Sequence, residues 1–345
     1  MAQTTTQINT ETRPAGANVQ TATEAFAAAL AATPEFQAEE DMFTRVLFPT
    51  DFSAYANAVL GCLPELKSIG VREVVLVHVI RGSDVPMPET VNSESMQQVR
   101  WAAEEHLNLA RMALEGQGLR VITRVEYGSP VAQIVRVAKE TLAHLIVIGA
   151  QGGTVAQELL LGSIAYEVVR RATVPVLVQK FDVVREMGHV TCSQVCEQAF
   201  KRVLYPTDFS DCAAEAFQVV KRLQGAGTRE VILLHVHDER EMQRRSVEQL
   251  AEFESEDQKR LDALARALVL FGLQPRVLLR KGIPFREALK VAEEEDVGLI
   301  VLGSTGRSAV AELLSGSTLE NVVRLSRRPV LVVKQVKGAD SARAA

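Results

Sequence analysis

The chain has few cysteines, no long apolar run and no excess of positive charge, and each shortage removes a class of function. Four cysteines, Cys62, Cys192, Cys196 and Cys212, in 345 residues are too few for the disulfide framework of a small secreted protein. Cys192 and Cys196 lie close together, but no second Cys or His pair stands near them at zinc spacing, so both read as ordinary thiols. The longest apolar runs, such as 74–80 and 145–148, have strand length and fall far short of the roughly 20 residues that cross a bilayer. Lys and Arg number 38 against 43 Asp and Glu, a formal charge of -5, which offers no general attraction for nucleic acid or an anionic membrane. Met1 to Gln7 lack the basic start and apolar core of a secretory signal, so the expected location is the cytoplasm. The Gly-Lys-Ser sequence of a P-loop and any Ser-His-Asp arrangement are missing too, which argues against those kinds of NTPase and hydrolase.

What is present is a duplication. The segment Arg45-Val46-Leu47-Phe48-Pro49-Thr50-Asp51-Phe52-Ser53 returns 157 residues later as Arg202-Val203-Leu204-Tyr205-Pro206-Thr207-Asp208-Phe209-Ser210. Val77-His78-Val79 returns at the same offset as Leu234-His235-Val236. Gly128-Ser129-Pro130 pairs with Gly282-Ile283-Pro284, and Pro175-Val176-Leu177-Val178 with Pro329-Val330-Leu331-Val332, both at an offset of 154. The change of three falls in one connection and leaves the framework intact.

Each copy alternates short β-branched runs with longer segments that carry apolar residues every three or four positions, the pattern of parallel strands joined by amphipathic helices. In the first copy strands are expected near 44–48, 73–79, 120–126, 144–148 and 176–179, and helices over 53–60, 94–115, 131–140 and 163–171. The second copy repeats the strands near 203–205, 230–235, 274–279, 299–302 and 330–333. The chain therefore divides into a Thr-, Ala- and Gln-rich arm expected to be disordered (1–42), a first domain (43–180), a linker (181–200) with room to wind partly into helix, a second domain (201–336) and a short tail (337–345).

In such a sheet, ligands collect beyond the carboxyl ends of the first and fourth strands, where strand order reverses. Pro49-Thr50-Asp51 and Pro206-Thr207-Asp208 follow the first strands. After the fourth come Gly149-Ala150-Gln151-Gly152-Gly153 and Gly303-Ser304-Thr305-Gly306-Arg307, and each leads to a Gly-Ser at the same spacing, Gly162-Ser163 and Gly316-Ser317, with Thr318 next. Glycines there let the backbone turn and let an anion approach amide N–H groups. A Ser opening the next helix adds its hydroxyl and the first-turn amides. Asp51 and Asp208 are candidate acceptors for a ribose hydroxyl, and the backbone of Val79 and Val236 is placed to meet an adenine edge. Taken singly, each feature has a structural explanation: a tight turn, an N-cap, an Asp capping the first helix. Their joint recurrence makes the combination specific.

Each half resembles a universal stress protein domain, and the whole resembles a tandem member of that family. The family's Gly-x2-Gly-x9-Gly-Ser/Thr signature matches Gly149, Gly152, Gly162 and Ser163, and again Gly303, Gly306, Gly316 and Ser317. The resemblance implies an adenine nucleotide alpha-hydrolase-like fold, with a five-stranded parallel sheet in the order 3-2-1-4-5 in each copy and pairing of the domains through their fifth strands. It further implies binding of ATP or AMP, with Mg2+ as a companion ion, little catalysis, and a stress-response role exercised through a protein partner or a homodimer. The second copy matches better, since Arg307 stands where the family often has a basic residue and the first copy has Gly153. The Ser-Gly-Gly-x-Asp-Ser loop of adenylating relatives is missing.

His78 and His235 lie in apolar strands without an evident partner and read as core histidines with one satisfied ring nitrogen. His237-Asp238 replaces Ile80-Arg81 of the first copy and reads as incidental, and the charged stretch 239–260 as a solvated helix face. No metal or catalytic residue is assigned. Besides the nucleotide-binding regulator, two other readings are weighed: a nucleotide-independent interaction protein that keeps the fold, and a slow ATPase.

Overall fold

Arg45–Pro49 (β1) is apolar on both faces because the strand is covered on both sides, and its three central residues are fully buried. The computed structural model describes residues 42–82, 94–150, 161–180, 182–186, 189–193, 200–242, 247–304 and 318–334. The first copy continues with helix α1 (Ala54–Leu60), β2 (Glu73–Ile80), α2 (Glu94–Glu115), β3 (Arg120–Tyr127), α3 (Pro130–Glu140), β4 (Leu145–Gly149), α4 (Ser163–Arg171) and β5 (Val176–Gln179). After β6 (Asp182–Glu186) and β7 (His189–Ser193), the second copy runs β8 (Arg202–Pro206), α5 (Asp211–Arg222), β9 (Glu230–Asp238), α6 (Glu239–Met242), α7 (Val247–Leu270), β10 (Gln274–Gly282), α8 (Pro284–Glu294), β11 (Leu299–Gly303), α9 (Thr318–Leu325) and β12 (Val330–Val333). Every strand and helix expected from the repeat is found, with ends shifted by a few residues at most.

The two copies share one ten-stranded sheet in the order β10-β9-β8-β11-β12-β5-β4-β1-β2-β3. Within each copy the order is the expected 3-2-1-4-5 and all pairings are parallel. The copies meet where β12 pairs antiparallel with β5, in the register Val330↔Val178, Leu331↔Leu177 and Val332↔Val176. All six side chains are buried. The apolar core under α3, α4, α8 and α9 consequently runs unbroken from one copy to the other, from Val75 and Ile146 through Val176 and Val330 to Ile300 and Ile232. Closing the two fifth strands on each other also removes two edges that would otherwise template pairing with another chain.

The linker departs from expectation. Its backbone forms an antiparallel hairpin, β6 with β7, in which Asp182 pairs with Ser193 and Glu186 with His189, instead of winding into helix. The sequence explains why: Val183-Val184 and Val190-Thr191 are β-branched, which favours extended backbone over helix. Cys62, buried just beyond α1, is disulfide-bonded, a cross-link that the cysteine count does not announce. Among the described residues no helix is long and apolar enough to cross a membrane. The arm at 1–41 and the tail beyond 334 lie outside the described residues.

Candidate functional site

The two loops that follow the first strands are built alike, by short side-chain-to-backbone hydrogen bonds. Thr50 N–H donates to the Val77 carbonyl at 2.9 Å and Thr207 N–H to that of Leu234 at 2.8 Å, which extends each strand by one more rung. The threonine hydroxyl then accepts from the amide two residues on, Phe52 at 3.0 Å and Phe209 at 3.1 Å. Oδ1 of Asp51 accepts from Ser53 N–H, and Oδ1 of Asp208 from Ser210 N–H, each at 3.1 Å. Ser53 and Ser210 in turn cap α1 and α5 by accepting from Ala56 and Ala213. These overlapping turns hold Phe52 and Phe209 at φ 60° and 57°. A bulky residue in the left-handed region costs on the order of 1–2 kcal/mol, so the loop geometry is imposed and not relaxed.

Below each loop a histidine locks the threonine carbonyl. Nδ1 of His78 is 2.9 Å from the Thr50 oxygen and Nδ1 of His235 is 2.7 Å from that of Thr207. A carbonyl only accepts, so Nδ1 carries the proton in both rings. The phenylalanine of each strained turn packs on its histidine, with ring centroids 4.4 Å apart for Phe52 and His78 and 4.6 Å for Phe209 and His235. Both histidines thus have the satisfied ring nitrogen expected of them.

The first glycine of each signature has a packing role. A Cβ on Gly149 would lie 2.8 Å from the Tyr55 ring, and one on Gly303 would lie 2.5 Å from the Cys212 carbonyl oxygen at the start of α5. These residues let the first helix close on the fourth strand, a packing role that the glycine spacing alone does not announce. Gly162 caps α4 with an ordinary φ of -62°, and its N–H donates to the Ala150 carbonyl at 2.7 Å, which draws the two ends of the glycine loop together. Ser163 is exposed and opens α4; Thr318 opens α9. Gly152, Gly153, Gly306, Arg307, Gly316 and Ser317 lie outside the described residues.

Sheet order decides which of these elements face one cleft. β1 pairs with β4 and β8 with β11, so Pro49-Thr50-Asp51 opens beside Gly149, and Pro206-Thr207-Asp208 beside Gly303, all at the carboxyl edge. Val79 and Val236 lie near the ends of the flanking strands β2 and β9. The described part of this cleft fits an adenine nucleotide in its donor and acceptor chemistry. An exposed carboxylate at Asp51 supplies acceptors, and the first-turn amides of α4 have no carbonyl partner within the helix.

One group of side chains escapes the sequence reading. In the second copy His237 Nε2 and His235 Nε2 lie 3.0 Å and 3.3 Å from the same oxygen, Oδ2 of Asp257 on α7. His237 is therefore not incidental, and His235 does have a partner, 22 residues away in sequence. Burial opposes ionisation of Asp257, but the hydrogen bonds and charge of the two imidazoles outweigh it and hold the carboxyl below the usual carboxylate range. The internal repeat carried a usable signal. At the offset of 154, Leu107 and Leu114 of α2 align with the buried Leu261 and Leu268 of α7, which puts Asp257 where the first copy has the buried Ala103. An Asp in a core-facing helix position requires a partner.

Two parallel doubly wound halves fused edge to edge, each with a strained Asp-Phe turn at its switch point, define a tandem doubly wound α/β protein. The family model described as "Universal stress protein family" matches residues 42–180 and again 199–334, and the chain belongs to that family. It is 37% identical over 155 residues to a universal stress protein of Methanocaldococcus jannaschii, covering 39% of this chain and 96% of that one. A universal stress protein of Mycobacterium bovis is 27% identical over 275 residues, covering 76% of this chain and 87% of the relative, so the match spans both copies. Among solved structures, a universal stress protein from Archaeoglobus fulgidus matches with a TM-score of 0.67 and 26% identity, over 87% of this chain and all of that one.

Proposed function

We propose that this chain is a cytoplasmic stress-response regulator that binds ATP or AMP, with Mg2+ on the phosphates, in one or both clefts. Occupancy changes the affinity of a protein partner, to the extent that nucleotide binds one conformation better than another. The observation that carries this reading is the paired turn at 50–53 and 207–210. The same strained Phe, the same Asp and the same Thr–His lock open in both copies beside the glycine loop of the switch point. Strained backbone clusters at ligand sites, and its presence at equivalent loops of both copies supports this reading. The role is one of binding, with turnover at most slow: phosphate release should be no faster than from a Gly162→Val/Gly316→Val double variant.

Labelled ATP titrated into nucleotide-stripped protein should bind saturably below millimolar concentration. Gly316→Val should remove only the second cleft, and unchanged stoichiometry would show that the site is misplaced. One finding favours the second reading, a nucleotide-independent interaction protein: Gly149 and Gly303 are demanded by helix packing, so their presence does not itself require a ligand. The absence of saturable binding at millimolar ATP would decide for that reading.

A further inference from the structure

We propose that the second copy, and not the first, holds a divalent transition-metal ion, zinc by its donor set, between His235, His237 and Asp257. The three ligand atoms lie within 4.8 Å of one another. Both histidines come from β9 at positions two apart, which places them on one face of the strand, and Asp257 reaches them from α7. Their side chains are about nine-tenths buried. Zinc held at about 2.0–2.1 Å by tetrahedral nitrogen and oxygen ligands keeps those ligands about 3.3 Å apart. The observed separations of 3.3 Å and 3.0 Å to Asp257 Oδ2 therefore need little adjustment.

The tautomer supports the same conclusion. The Thr207 carbonyl holds a proton of His235 on Nδ1, so in the neutral form of that ring the Nε2 lone pair is what faces the carboxylate oxygen. Acceptors that face each other need a proton or a metal ion between them, and at His235 that is either a second ring proton or the metal. A backbone carbonyl on the far nitrogen is also the usual outer-shell partner of a metal-bound histidine. The other carboxylate oxygen, Oδ1, faces Arg260 Nη1 at 3.4 Å, which steadies the carboxylate from behind. The guanidinium is itself paired with Glu256 and stacks over Phe209, so its charge is shared before it can oppose a metal.

The first copy is the internal control. It keeps His78 with the same carbonyl lock, but places Ile80 at the position of His237 and Ala103 at that of Asp257. One ligand of three remains, so no site forms there. The charge-free set His, Ile, Ala in an otherwise equivalent framework shows that the fold does not need the His–His–Asp cluster.

The test is Zn2+ titration of the metal-stripped full chain by calorimetry and elemental analysis, with Mg2+ as a comparison ion. One equivalent of zinc should bind per chain, resist excess Mg2+ and raise Tm. Co2+ in its place should give tetrahedral visible bands without a thiolate charge-transfer band, which separates this site from the cysteines. His237→Ile/Asp257→Ala, which copies the first domain and so should fold, should abolish this binding. Asp257→Asn should weaken it at least about 100-fold, more than removal of an outer-shell group does. Zinc that does not bind stoichiometrically, or that binds equally to the double variant, would overturn the proposal and leave the cluster as a proton-bridged pair of imidazoles.

Discussion

Lys180, at the end of β5 in the first copy, donates to the carbonyl of Arg324 in the last turn of α9 in the second, at 3.5 Å. The repeat returns the contact: Lys334 of the second copy donates to the carbonyl of Val169 in the last turn of α4. Each ammonium therefore meets the carbonyl end of a helix in the opposite copy, where a positive charge is favoured. Burial dominates nonetheless and pulls both lysines down to about 8.

This pair predicts a particular pH dependence. Between about pH 8 and the ordinary lysine value of 10.5 the unfolded chain holds protons that the folded chain has lost. Stability contributed by each lysine therefore rises with pH across that window, by up to about 1.4 kcal/mol per pH unit, and is flat below it. Guanidinium midpoints for the native chain should climb between pH 8 and 10 relative to Lys180→Met/Lys334→Met, whose profile should be flatter. Equal profiles would mean that neither lysine is desolvated.

The two copies should unfold together, because they share a sheet and a core. Leu177 and Leu331 face each other across the β5–β12 pairing and are each 2% exposed. Truncating either to Ala should cost about 2–5 kcal/mol. Native calorimetry should show one transition; two resolved transitions would show that the shared core does not couple the copies.

Gly303 and Gly149 should differ in their tolerance of alanine. At Gly149 the new methyl meets the side chains of Tyr55 and Val59, which can yield by rotation where backbone cannot, and a loss of about 1–3 kcal/mol is expected. At Gly303 it meets the backbone of Cys212 and Ala213, so α5 itself must shift and the loss should be larger. Urea midpoints of the two variants rank them directly.

Asp208 separates turn formation from charge. Asp208→Asn keeps an oxygen for Ser210 N–H and should leave stability within about 0.5 kcal/mol, whereas Asp208→Ala also removes that bond, worth about 1 kcal/mol. If the carboxylate serves a ribose hydroxyl, both variants should lose ATP affinity in the second cleft. Unchanged affinity in Asp208→Asn would restrict the residue to its turn.

Periodicity and the internal repeat were enough to determine the strands, the helices and their division into two matched copies, because those features depend on which residues are apolar and at what spacing. The turn at Thr50-Asp51-Phe52-Ser53 and its repeat was legible only in part: its place before the first helix was evident, but Ser53 caps that helix where Asp51 was the expected cap, and Asp51 instead accepts from Ser53 N–H. Three features were decided by the structure, the last two through contacts between distant segments. The linker's hairpin had to be weighed against helix in a short mixed segment. The role of Gly149 and Gly303 depended on how closely a helix approaches from 90 or more residues away. The meeting of His235, His237 and Asp257 required α7 to lie against the end of β9 with one particular face inward. A sequence lists all of these donors and acceptors, but only packing brings their atoms within bonding distance of one another.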